Sequence, residues 1–519
     1  MKARTLGTAA AGVAVVTVAS RVVGFGRVAV LSHAVGTSCV GDTYQAANSV
    51  PNVVFEVVAG GALASLVVPV LAGAVAAGDR ETASRVASAL LSWTVALLAP
   101  IALLGMALAP LLMRALVGAG PQCGRPMTEV GARMLVVFMP QVVLYGVGIV
   151  LAGIVQAHHR FLGPAIAPLL SSLVVITAYL AYAAQGATSL DRISTAQELT
   201  LSVGTTLGVA VLSLGLVVPA RRCGLRLRPT FAFPDGIARR VRGLALAGIV
   251  GLVAQQVALV VALRLAVHGR EGSVVLFQVA TAVFLLPWAV LAVPVSTTAF
   301  PRLVASAEGG AESEYADVAA HSMAAVLIGM LGGVAVLVAV AQPAARLLVA
   351  GVPGPDDVGA LADGVVAFAP GLVGYGVLAL AGRALYARGE TWKVATATAV
   401  GWLVVAVLDV ALVAETDLDR VAALGVGNTV GMTLAGALLV AGLNAAAPGA
   451  LRGLAGTAAA GALATGCAVA AAAALPIGAG RTIGQSVVSA GVLALVAAGL
   501  FLAVLRVIRP DALRVLRDG

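Results

Sequence analysis

The sequence predicts an all-α, polytopic membrane protein of about fourteen transmembrane helices. Three observations predict it. The 519 residues are 60% hydrophobic and only 11% charged, with a mean hydropathy of +1.04; a water-soluble chain carries roughly 25% charged residues, because its surface must face water. The apolar residues fall in repeated runs about 20 residues long, the length that crosses a hydrocarbon core. The 61 glycines, with abundant alanine, suit helices that pack closely in lipid through small residues.

The first run covers residues 6–35. Its start, Met1-Lys2-Ala3-Arg4, has the look of a secretory leader, but the run continues past Arg21 and Arg27, too long for a leader's apolar region. We read it as an uncleaved first span, bent or broken where Gly24 and Gly26 loosen the helix. The next runs are 43–75, 84–115, 128–156, 162–184 and 198–219. Beyond a polar loop come 241–266, 273–301, 318–347, 358–386, 392–414 and 420–445, then the Ala/Gly-rich pair 451–475 and 482–507. The chain thus divides into an N-terminal lobe (1–219), a cationic linker (220–240), a C-terminal lobe (241–445) and a last segment (446–519) of two helices and a short tail.

The distribution of charge orients these spans. One set of loops holds Lys2, Arg4, Arg80, Arg85 and Arg160, then Arg221, Arg222, Arg226, Arg228, Arg239, Arg240 and Arg242. It also holds Arg302, Arg388, Lys393, Arg452, Arg509, Arg514 and Arg517. The opposite loops hold mainly Arg125, Arg192, Arg270, Arg420 and Arg481, an asymmetry of more than threefold. The positive-inside rule then places both termini in the cytoplasm. A formal net charge of +9 could suggest nucleic acid as a partner, but the cations are spread over short loops and aromatics are only 4% of the chain. No nucleic-acid partner is expected.

The two lobes repeat each other. Tyr145-Gly146-Val147, followed by Gln156-Ala157-His158, recurs as Tyr375-Gly376-Val377, followed by Tyr386-Ala387-Arg388. Val68-Pro69-Val70-Leu71-Ala72 has its counterpart in Phe300-Pro301-Arg302-Leu303-Val304. The copies share one predicted orientation, so the repeat is parallel, about an axis along the membrane normal, as in transporters with a central cavity that opens to alternate sides.

Ionisable groups within spans cost about 2.5–3.5 kcal/mol on insertion scales, so each needs a reason. Arg21 and Arg27 can grip a phosphate or pyrophosphate; the plainer reading has Arg27 reaching for the interface and Arg21 paired with Glu56. Glu56 is read as a counter-ion to these arginines, or else as a proton-linked carboxylate. Asp42 suits the start of the second helix. Arg264 lines a cavity or sits at the outer interface, and its position late in the seventh span favours the interface. Asp409 is the best single carboxylate for a monovalent cation or proton, with Asn428, Thr429 and Thr433 as candidate oxygen ligands. His158-His159-Arg160 reads as a solvated turn. No zinc spacing, phosphate loop, dinucleotide fingerprint or nucleophile elbow in a credible context appears, so neither catalytic residues nor a metal centre nor a cofactor is expected. Cys39 and Cys123 fall in predicted external loops, where a disulfide is permitted; two free thiols is the preferred reading.

Several segments together resemble the MurJ/MviN family, the lipid II flippases of the multidrug/oligosaccharidyl-lipid/polysaccharide exporter superfamily. They are Ser20-Arg21-Val22-Val23-Gly24-Phe25-Gly26-Arg27, Gly41-Asp42-Thr43-Tyr44, Val50-Pro51-Asn52, Gly60-Gly61-Ala62-Leu63 and Val67-Val68-Pro69-Val70-Leu71. Gln156-Ala157-His158-His159-Arg160-Phe161 with Pro164 and Pro168, and Leu385-Tyr386-Ala387-Arg388-Gly389-Glu390-Thr391, complete the set. The resemblance implies a fold of two pseudo-symmetric six-helix lobes plus two C-terminal helices. It implies a cationic central cavity for the pyrophosphate and sugars of an undecaprenyl-linked peptidoglycan precursor, a lipid groove formed by the last two helices, and a lateral opening between spans one and eight. It implies Arg21, Arg27 and Asp42 as functional residues, with Asn52 beside them. It also implies alternating access in a bacterial plasma membrane, driven by membrane potential or an ion gradient, with cell-wall synthesis or division proteins as partners. This chain departs from the pattern at Phe55 and Glu56, where many members have arginines, at Val28, where an aspartate is common, and before Pro287, where an arginine is absent. The expected cavity is therefore less cationic than the family norm. The competing functions are export of another lipid-linked glycan or a small cationic compound, and a non-transporting scaffold for cell-wall enzymes.

Overall fold

The computed structural model describes residues 2–118, 123–186, 189–232, 237–349, 356–475 and 482–511. Arg481, Arg514 and Arg517, counted above for orientation, lie outside the described residues. The described residues form helices joined by short turns, with no strand among them. Two compact units divide at Leu252 and Val253.

Unit 1 begins with α1 (Lys2–Ala34) and α2 (Cys39–Phe55); a π turn (Glu56–Gly60) leads into α3 (Gly61–Ala76). Then come α4 (Arg80–Ala107), α5 (Ala109–Val117), α6 (Gly124–Phe138), α7 (Gln141–Ala157), α8 (Leu162–Ala184), α9 (Thr195–Leu214) and α10 (Val217–Arg221). α11 (Ile237–Val267) carries the chain into unit 2. There α12 (Ser273–Pro287) passes through a second π turn (Trp288–Ala292) into α13 (Val293–Glu308). α14 (Glu312–Val349), α15 (Asp356–Phe368), α16 (Gly371–Ala387), α17 (Thr391–Glu415), α18 (Arg420–Ala446), α19 (Leu454–Ala474) and α20 (Ile483–Ile508) follow.

Among the described residues, twelve helical segments are long and apolar enough to span a membrane, and α15 with α16 makes a thirteenth, bent by 43°. The remaining expected span, 43–75, is the α2–π turn–α3 segment. The first span corrects the expectation of a break: α1 runs unbroken through Gly24 and Gly26. Each glycine weakens a helix by about 1 kcal/mol, whereas freeing backbone groups in hydrocarbon costs several, so the ladder stays closed. The irregularity falls in the second span instead, as a π turn within continuous helix, and it recurs in the eighth. Each unit thus carries a π turn at the corresponding place, then a helix pair parted before a proline. Pro140 precedes α7 and Pro370 precedes α16, with Tyr145 and Tyr375 each five residues on.

In unit 1, α1 and α9 pack along α8, α2 against α6, and α3 and α4 against α7. Val67, Leu71, Val86, Leu90, Val150 and Ile154 form one buried cluster. In unit 2, α15, α16 and α17 all pack on α18, while α19 and α20 lie against α14. That last contact buries Ala460, Ala464 and Ala468 against Leu327 and Leu331, with Phe501 and Leu505 beside them. Small residues set these distances. A Cβ at Gly374 of α16 would strike the backbone of Met432 and Thr433 in α18, so only glycine permits that approach. Outward faces carry large apolar side chains, Val407 67% and Leu495 77% exposed, which water would penalise and lipid does not.

Candidate functional site

α1 lies along α8, and the partly buried Arg27 is close enough to the hydroxyls of Tyr44, Tyr145 and Tyr179 to act on all three electrostatically. Tyr44 is fully buried, its hydroxyl 2.8 Å from that of Tyr179 and 2.7 Å from Oγ1 of Thr205. The Tyr44 ring meets Tyr179 and Phe138 edge to face, both at 5.8 Å between centroids. Tyr145 packs on Phe55 at 5.3 Å. Arginine is permanently charged and presents five donors in a planar fork, a shape that suits a phosphate oxygen.

The other predicted residues take distinct positions. Arg21 is exposed on α1. No ion pair joins Arg21 or Arg27 to Glu56 among the described residues, so the expected counter-ion contact is not formed. Glu56 opens the π turn, half-buried, its backbone N–H donating to the Asn52 and Val53 carbonyls. Asn52 turns its side-chain Nδ2 back to the Asn48 carbonyl at 2.8 Å. Asp42 is buried in the first turn of α2. Arg264 belongs to unit 2, on an exposed face of α11, its carbonyl accepting from Nδ1 of His268.

Unit 2 holds the predicted carboxylate. Asp409 is 1% exposed on α17, and its Oδ1 has no hydrogen-bond partner. It fits only because residue 427 of α18 is glycine: a Cβ there would fall on Oδ1. Asn428, the next residue, also buries an unpartnered side-chain oxygen. Thr429 is committed elsewhere. Its hydroxyl donates to the Ala367 carbonyl at 2.7 Å and accepts from the Gly371 N–H at 3.1 Å, bracing the break between α15 and α16. Thr433 is exposed and bonds the Thr429 carbonyl. An aromatic cluster adjoins this region: Tyr375 stacks edge to face on Phe284 at 5.3 Å and on Trp402 at 6.2 Å, with Trp288 at 6.3 Å. A buried carboxylate with an open oxygen invites a proton or cation, because the bare charge is costly there.

Some chemistry escaped the sequence reading. Tyr179 and Thr205 sit in apolar runs with no distinguishing neighbour, and only the fold brings them to Tyr44. Arg133 is ion-paired to the buried Glu198 at 2.8 Å between α6 and α9. Arg383, half-buried in α16, donates to the Ala379 carbonyl. The preference for free thiols is overturned: Cys39 and Cys123 form a disulfide that ties the start of α2 to the start of α6. The contact of α2 with α6 aligns them, which the 84 intervening residues do not reveal. Cys223 and Cys467 are free.

A protein-family model described as "Lipid II flippase MurJ" matches residues 31–495. Among curated proteins, the chain is 27% identical over 312 residues to a probable lipid II flippase MurJ of Rhizobium tropici, covering 60% of this chain. It is 28% identical over 346 residues to that of Rhizobium meliloti (strain 1021), covering 64% of this chain. The chain spans 57% and 61% of the length of these two relatives. Among solved structures it is similar to a lipid II flippase MurJ in an inward closed conformation, with a TM-score of 0.76 at 16% identity, covering 97% of this chain and 99% of that one. It is also similar to an inward-facing multidrug resistance MATE family transporter of the MOP superfamily, with a TM-score of 0.62 at 16% identity, covering 83% and 94%. At these identities the likeness concerns the fold.

Proposed function

The chain belongs to the family of the lipid II flippase MurJ, and from that premise we propose that it carries lipid II, a lipid-linked peptidoglycan precursor, across the bacterial plasma membrane by alternating access. The observation that carries the reading to particular residues is Arg27 itself, a partly buried, permanent charge on α1 that makes no ion pair among the described residues and lies within electrostatic range of the Tyr44, Tyr145 and Tyr179 hydroxyls. Arg27 takes the pyrophosphate through charge-assisted hydrogen bonds. Arg21, exposed and six residues earlier on the same helix, makes the first contact with the headgroup. Glu56, unpaired with either arginine, is placed to repel the anion after transfer, while Asp42 and Asn52 shape the ends of α2. Arg264 offers a further guanidinium on α11 of unit 2.

The driving force enters at Asp409. A proton or monovalent cation that binds its open oxygen, with Asn428 beside it, changes the charge buried on α17 and biases one state of unit 2 over the other. No covalent step and no ATP are required. The cationic turns at Arg80, Arg160, Arg222 and Arg388 lie on the cytoplasmic side with both termini. Cell-wall synthesis or division proteins are the expected neighbours.

The test is complementation in cells depleted of their own lipid II flippase, with wild type, Arg27→Ala and Arg21→Ala at matched expression. Rescue by wild type and failure of Arg27→Ala supports the reading. Rescue by both keeps the function and removes Arg27 from it. A well-expressed wild type that fails to rescue redirects the assignment to another lipid-linked glycan.

A further inference from the structure

Unit 1 has a second cationic feature, at the end of the bundle where α3 turns into α4, α7 into α8, and α10 into the segment that follows it. That segment lies along α4 as a strap. The backbone N–H groups of Arg226, Arg228 and Thr230 donate to the hydroxyls of Ser84, Ser88 and Ser92 at 3.1, 3.0 and 3.1 Å. The registers match. Four helical residues rise about 6 Å, and two extended residues cover about 6.6 Å, so every second strap amide meets every fourth helix position. Trp93 closes the far end, its Nε1–H donating to the Phe231 carbonyl at 3.0 Å and its ring stacking on that of Phe231.

Because the strap is held by its backbone, its arginine side chains are left for other work. They line a cavity of about 650 Å³ with Arg80, Arg85, Ser84 and Ser88. A neighbouring cavity of about 420 Å³ shares Arg80 and Gly224 and adds His158, Arg160 and Arg222. Six arginines therefore converge, against only Asp79 and Glu81 in the same walls. None of the six makes an ion pair among the described residues. Asp79 is occupied as the cap of α4, accepting from the Thr82 N–H at 2.9 Å. The surroundings are apolar and open: Trp93 is 50%, Phe231 56% and Phe161 49% exposed.

We propose that these joined cavities bind the phosphate headgroup of an anionic phospholipid. The arginine fork matches the phosphodiester in charge and geometry. The exposed aromatic and aliphatic residues around it suit the interface between headgroups and acyl chains, where Trp settles and a soluble anion gains nothing. This site is separate from the Arg27 cluster, and its test involves no lipid II.

The experiment is native mass spectrometry of the full chain, released from nanodiscs of phosphatidylglycerol mixed with phosphatidylcholine. Wild type retains phosphatidylglycerol selectively. R226Q/R228Q lowers that retention ~10-fold or more, since each arginine near an anionic lipid surface contributes on the order of a fivefold preference. The strap bonds use backbone atoms and survive this change; should that variant still not fold, R80Q/R85Q removes the same charge from the α4 side. R192Q, outside the cavities, retains lipid as wild type does. Equal retention by wild type and both double variants overturns the site. Displacement of the lipid by millimolar inorganic phosphate overturns the lipid as occupant and points to a soluble anion.

Discussion

Replacing Ser84, Ser88 and Ser92 together with alanine removes the three hydroxyls that hold the strap, while changing no strap residue. The loss follows from the bonds. An intramolecular hydrogen bond contributes about 0.5–1.5 kcal/mol net. The Arg226–Ser84 bond is exposed and belongs at the low end, near 0.5 kcal/mol; the other two are part-buried and contribute about 1 kcal/mol each. The triple variant therefore loses about 2.5 kcal/mol of strap docking, and the open state gains ~70-fold in population. Hydrogen exchange by mass spectrometry reads this directly. The amides of 226, 228 and 230 should exchange faster by that factor, with amides in α8 and α9 unchanged as internal controls. The three amides should also accelerate together, since one opening event frees all of them. Unchanged exchange in the triple variant would refute the ladder. Acceleration at one amide alone would refute its cooperativity.

Three further expectations concern packing and covalent links. Gly374→Ala should lower stability by about 1–3 kcal/mol, because the new methyl meets backbone that cannot swing aside. Gly382→Ala, where the nearest atom is Val394 Cγ1 at 3.5 Å, should be neutral or slightly stabilising; equal midpoints in thermal unfolding would remove the close approach of α16 and α18 from the account. Cys39→Ala/Cys123→Ala should destabilise by about 4 kcal/mol, since the bridge closes a loop across 84 positions. Non-reducing peptide mapping of the wild type checks the bridge itself, and two alkylated thiols would dismiss it. His159→Gly should stabilise by about 1 kcal/mol, because His159 alone among the described non-glycine residues has a positive φ, 56°. The corresponding turn of unit 2 already has Gly389 there at φ 75°, and a lowered midpoint would mean that the imidazole contributes more than its backbone loses.

The spans were legible because each must fill a fixed thickness with apolar residues, a constraint written locally in every run. The repeat was legible because short strings recur at matching places, Tyr145-Gly146-Val147 in one lobe and Tyr375-Gly376-Val377 in the other. What lay beyond reach depended on partners distant in the chain. Gly24 and Gly26 suggested a broken first helix, but propensity is a small term beside the penalty for open backbone in lipid. The π turn at Glu56 has no such local signature, since Pro51 sits a turn earlier in continuous helix. At the site, Arg27 stood out as a charge in an apolar run. Tyr179, a turn of α8 away from any other marker, did not. Ser84, Ser88 and Ser92 read as an ordinary polar stripe until the strap is laid on them.

The two π turns have a consequence for how each unit tolerates change. A π turn holds one residue more than the α-helical ladder needs, and one residue of α-helix is 100° of rotation about the axis. α2 and α3 are thus a single rod with its phase reset midway, so that Tyr44 faces the α8–α9 side while Val67 and Leu71 face α7 and α4. Deleting one residue from 56–60 would let the rod wind as plain α-helix and turn that buried pair out toward lipid. The surplus residue acts as a washer between two halves that are each machined to a different neighbour, and its twin at 288–292 sets α12 and α13 in the same way.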